Sequence, residues 1–134
     1  MTTMDAAAIT ESLELVGERC ADPTARVYAR LFARSPEMEA LFVRDTDLSV
    51  RGNMLQQVIE AILDILGRGA YGHALIRAEV VNHEGLGVPP DVFPTFFATV
   101  RETFRDIAGE AWTPAMDAAW DELLADLEAT AAVH

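Results

Sequence analysis

Residues Leu48 to Leu66 read LSVRGNMLQQVIEAILDIL, and this stretch decides the fold class. Leu48, Gly52, Leu55, Ile59, Ile62 and Leu66 recur at steps of four, three, four, three and four. That period puts them on one face of a helix, buried against a core. The spacing predicts a helix from about Thr46 to Leu66, stopped by Gly67-Arg68-Gly69 and Tyr71-Gly72. No strand precedes these glycines, so they form a helix stop and loop rather than a phosphate cradle.

The same period extends in both directions. Upstream, Ile9, Leu13 and Val16 mark a helix from about Asp5 to Cys20. Asp22-Pro23 opens a second helix that carries Val27, Tyr28, Leu31 and Phe32 to about Arg34, since a cap residue followed by proline is a start signal. Ser35-Pro36 opens a short helix ending near Leu41-Phe42, and Val43 to Asp47 is polar and turn-like. Downstream, a modest helix runs from about His73 to His83 and meets a compact corner, Gly85-Leu86-Gly87-Val88-Pro89-Pro90. Asp91 is placed to cap a helix to about Ala108, with Phe93, Phe96, Phe97, Val100 and Phe104 on its apolar face. Thr113-Pro114 opens the last helix, built on Met116, Trp120, Leu123, Leu124 and Leu127. The expectation is an all-α fold of about seven helices, two of them short, in one domain spanning residues 1–134.

Composition excludes several functions. The 134 residues hold 51% apolar and 24% charged side chains, a globular balance. Ten basic residues, all arginine, oppose 22 acidic ones for a net charge of −12. Such a surface repels phosphate backbones and anionic lipids, so neither nucleic acid nor a membrane is an expected partner. No apolar run reaches membrane-spanning length, and Met1-Thr2-Thr3-Met4-Asp5 has no basic start followed by an apolar stretch. The expected location is the cytoplasm. The one cysteine, Cys20, rules out an intrachain disulfide and a multi-cysteine metal site, and reads as inert packing.

Chemistry therefore falls on few residues. The carboxylates lack paired spacing and read as solvated faces, and Trp112 and Trp120 read as core. No catalytic constellation is visible. Of the three histidines, His134 is terminal and His73 begins a helix, where a solvent-facing role is the plainer one. His83 ends an apolar helix at a glycine-rich corner, which suits a dipole partner as well as a ligand.

Together these features resemble a known family. Val27-Tyr28-Ala29-Arg30-Leu31-Phe32-Ala33-Arg34-Ser35-Pro36, then Ala40-Leu41-Phe42, then His83 with Gly87-Val88-Pro89, then Trp112-Thr113-Pro114 with Ala119-Trp120, span nearly the whole chain. In this order they resemble the globins, most of all single-domain bacterial globins and the globin domain of flavohaemoglobins. The resemblance implies a globin fold around a pocket for haem b, with His83 as the iron ligand. It implies Phe42 packed on the haem face, Val88, Phe93 and Phe97 lining the proximal side, and Tyr28 as the distal donor to a bound gas. The second distal position falls on Arg51 when counted back from His83, with Leu55 over the iron; other alignments give Gly52 or Val50.

Two departures bear on reactivity. Relatives of the flavohaemoglobin type back the proximal histidine with a tyrosine and a glutamate. Phe93 stands where that tyrosine is expected, Leu124 replaces a second tyrosine, and the glutamate would fall beyond His134. The expectation is an ordinary neutral imidazole bonded to a backbone carbonyl. The implied function is reversible binding of O2, NO or CO by a monomer or homodimer. NO dioxygenation is the alternative, with electrons from a separate reductase, because the sequence holds no reductase domain. A sensor or haem-free interaction module is the third class; the pairing of His83 with Phe42 argues against its haem-free form.

Overall fold

A computed structural model describes residues 5–67, 69–88 and 91–132. The expectations for Met1 to Met4, Arg68, Pro89, Pro90 and His134 lie outside these residues. The described residues form six α-helices, α1 (Ala6–Arg19), α2 (Thr24–Arg34), α3 (Ser49–Leu66), α4 (Gly72–Gly85), α5 (Val92–Ala108) and α6 (Pro114–Ala131). Short 3-10 helices occupy Pro36–Phe42 and Gly109–Ala111. There is no strand among the described residues, and none of their helices is long and apolar enough to cross a membrane.

Local chemistry explains the boundaries. The Asp22 carboxylate accepts the Thr24 N–H at 3.0 Å, and the Thr113 hydroxyl accepts the Met116 N–H at 3.1 Å, so both side chains hold the helix starts that follow them. Asp91 precedes α5 but makes no such capping bond. The long helix begins at Ser49 rather than near Thr46. Leu48 takes a left-handed backbone (φ 62°), which no helix interior accepts. Asp47 accepts the Ser49 N–H at 3.1 Å, while Asp45 accepts those of Val50 and Arg51 at 2.9 and 3.0 Å.

The helices pack as two halves around one continuous core. α1, α5 and α6 meet around Ile9, Phe104, Trp120 and Leu123, each no more than 1% exposed. There the Trp120 indole N–H donates to the Ser12 hydroxyl at 2.8 Å, closing a bond between two fully buried side chains. In the other half, α2 crosses α3 at Gly52, where a Cβ would stand 3.8 Å from Thr24 Oγ1. α3 lies against α4, and the fit at Gly72 is tight: a Cβ there would meet the Ala61 carbonyl oxygen at 2.5 Å. Arg30 and Arg34 on α2 pair with Asp106 and Glu102 on α5. His73 is half-buried rather than solvent-facing, because α4 packs on α6 and brings its Nε2 to 2.7 Å from Asp126 Oδ2.

Candidate functional site

The two halves leave one large apolar cavity between α2, α3, α4, α5 and the first 3-10 helix. It holds about 780 Å³ of atom-free space, its open mouth included.

α2 contributes Tyr28, which is 1% exposed. Its ring sits edge-on to Phe42 at 5.4 Å and tilted against Phe96 and Phe32 at 5.6 and 5.9 Å. The packing fixes the ring, yet the hydroxyl has no hydrogen-bond partner among the described residues. Burial raises the phenol's pKa well above its ordinary value, the nearby Arg51 charge opposing the shift and Asp45 adding to it. Tyr28 is therefore a neutral O–H donor that lacks an acceptor. A buried hydroxyl in that state carries a desolvation cost.

α4 contributes His83 in its last turn. Nδ1 lies 2.6 Å from the main-chain oxygen of Glu79. A carbonyl oxygen can only accept, so Nδ1 carries a proton, and the tautomer this selects in a neutral ring has its lone pair on Nε2. Beyond His83 the chain turns at once. The Leu86 and Val88 N–H groups return to the His83 carbonyl at 3.0 and 2.9 Å, and Gly87 takes φ +87°, a conformation that favours glycine. Val88 lands on the cavity wall. Phe93 on α5 stands edge-on to the imidazole at 5.3 Å, and Phe97 stands behind it at 6.2 Å.

Six of the eight residues singled out from the sequence thus line one cavity: Tyr28, Phe42, His83, Val88, Phe93 and Phe97. Arg51 and Leu55 do not. Arg51 is tied to Asp45 and lies over the outer rings, its guanidinium carbon 5.5 Å from the Phe42 centroid and 5.9 Å from that of Phe32. Leu55 is 3% exposed but belongs to the core face. The other two candidates for the distal position do not line the cavity either: Gly52 faces α2, and Val50 is exposed.

α3 instead presents Met54, Gln57, Val58 and Ala61 to the cavity. Met54, Val58, Ala61 and Ile65 recur at the same four-three-four period as Leu55, Ile59, Ile62 and Leu66, one position earlier. α3 is apolar on two adjacent faces, about 100° apart around the helix. Periodicity finds both stripes and cannot say which one meets the cavity.

The globin family model matches residues 25–131. The chain belongs to the globin family. Globins in general bind haem and, at its iron, diatomic gases, and all six cavity residues above lie within the matched span. No curated protein and no solved structure matches this globin. Among its described residues no group of three or more His, Cys, Asp and Glu side chains could hold a bare metal ion.

Proposed function

We propose that this globin holds haem b in the cavity through His83 and binds a diatomic gas there reversibly. The observation that carries the reading is the Tyr28 hydroxyl, buried on the cavity wall with no acceptor among the described residues. A fold retains such a group at a cost, and an acceptor arriving from outside removes that cost. The donor set fits haem. His83 offers a neutral Nε2 lone pair, and the remaining wall is almost wholly apolar, as a porphyrin face requires.

Bound haem supplies an iron site at which O2, NO or CO coordinates. The chain's own residues do the rest. His83 would hold the iron through Nε2, with its ring orientation set by the bond from Nδ1 to the Glu79 main-chain oxygen. Phe42, fixed between Tyr28 and Phe32, packs on the porphyrin. Tyr28 would offer its hydroxyl as a hydrogen-bond donor to a polar gas ligand. The apolar side chains exclude water, which strengthens that bond.

Titration of the protein with haemin, followed by ferric, ferrous and gas-bound absorption spectra, tests the reading. A one-to-one complex with an intense Soret band is expected, and its loss in His83→Gly. In the loaded protein Tyr28→Phe removes a hydrogen bond worth about 1 kcal/mol, so O2 should dissociate roughly fivefold faster. A protein that takes up no haem overturns the proposal.

A further inference from the structure

His83 has a carboxylate beside the N–H that its main-chain acceptor already holds. The Glu79 carboxylate, one turn earlier on α4, places Oε2 3.6 Å from His83 Nδ1. Glu79 therefore contributes both its main-chain oxygen, at 2.6 Å, and its side-chain charge to the same N–H edge. Glu79 is also among the residues lining the cavity. Phe93, at 5.3 Å from the imidazole, brings a ring with no polar atom to compete. The imidazole is 19% exposed and the carboxylate 31%, so water only partly screens the pair.

We propose that Glu79 is a positioning residue that sets the electron-donor strength of His83. The inference rests on the reading of His83 as the haem ligand. A negative charge beside Nδ1–H polarises the ring and makes Nε2 more basic. A more basic ligand favours ferric over ferrous iron and shortens the bond from histidine to iron. The carboxylate sits on the ligand's own helix. The i, i+4 spacing of Glu79 and His83 brings the two together.

The test compares haem-loaded wild type with Glu79→Gln, which keeps the shape and removes the charge. The midpoint potential and the iron–histidine stretching frequency of the ferrous form are the readouts. Glu79→Gln should raise the potential, with about a tenfold shift in the ferric-to-ferrous ratio, or roughly 59 mV for one electron. The stretching frequency should fall. Glu79→Asp, with its charge drawn back, should lie between the two. Glu84→Gln removes a charge at the neighbouring position and should move neither readout by a comparable amount.

An unchanged potential and frequency in Glu79→Gln overturn the proposal. So does an equal shift in Glu84→Gln, which would make the effect one of bulk charge. If Glu79→Gln does not retain haem, Glu79→Asp decides, and values equal to wild type refute the role. Failure of wild type itself to bind haem removes the underlying reading, a result separate from any of these.

Discussion

Arg51 grips Asp45 by three hydrogen bonds: its main-chain N–H and its Nε–H each reach Asp45 Oδ2 at 3.0 Å, and Nη2 reaches the Asp45 carbonyl oxygen at 2.7 Å. The pair joins the turn after the first 3-10 helix to the start of α3. It also holds the arginine over Phe42 and Phe32, outside the cavity lining.

Burial alone would raise the Asp45 pKa, but the Val50 and Arg51 N–H groups and the Arg51 guanidinium outweigh it and hold the carboxyl below its ordinary value. A carboxyl with a lowered folded pKa contributes stability above its unfolded value, about 3.9 for aspartate. That stability is lost as pH falls through the folded value. Asp45→Asn should therefore melt below wild type at neutral pH, with the gap narrowing in acid and closing beneath the folded pKa. Thermal melts of both proteins across that range check it; a constant gap would refute it.

The two glycines at helix contacts should respond in opposite directions. Gly72→Ala drives a Cβ to 2.5 Å from the Ala61 carbonyl oxygen and 2.9 Å from Ile65 Cγ1, so α3 and α4 must move apart. A loss of about 1–3 kcal/mol is expected. Gly52→Ala has only Thr24 Oγ1 at 3.8 Å, ordinary contact, and lies within α3. It should gain roughly 0.5 kcal/mol from reduced backbone freedom in the unfolded chain. Urea unfolding of both variants is the measurement, and equal signs would contradict the packing described.

Ser12→Ala should cost about 1–3 kcal/mol, because it leaves the Trp120 indole N–H buried without a partner. Equilibrium denaturation measures this, and a neutral result would mean that water reaches the indole.

Tyr28→Phe should separate stability from function. Without haem, removing an unpartnered buried hydroxyl should stabilise the chain by about 1 kcal/mol. With haem, the same change should speed gas release. A destabilised haem-free variant would show that the hydroxyl has a partner in solution.

Secondary structure was legible because each helix carries its own signals. Thr113-Pro114, Asp22-Pro23 and the apolar period of Leu55, Ile59 and Ile62 act within a few residues. The expected α3 start erred for an equally physical reason: the Asp45 side chain reaches N–H groups five and six residues away, beyond the range of a local pattern. His83, Phe42 and Tyr28 were singled out because their order along the chain resembles the globins, and packing brings all three to one cavity. Met54, Gln57 and Val58 were missed because two apolar stripes of identical period share α3. The Glu79–His83 spacing was visible in the sequence, but i, i+4 proximity alone does not show that the carboxylate turns toward Nδ1.

By itself, then, the sequence determined an all-α chain, its helix order and the candidate ligand His83. These depend on local propensity and on spacing along the chain. Only the tertiary structure decided which face of α3 meets the cavity and that Arg51 turns to Asp45. Only it decided that the Tyr28 hydroxyl lacks an acceptor among the described residues and that the Glu79 carboxylate lies 3.6 Å from His83 Nδ1. Each of these depends on atoms that packing brings together, and an apolar period is the same for a stripe facing a core and one facing a cavity.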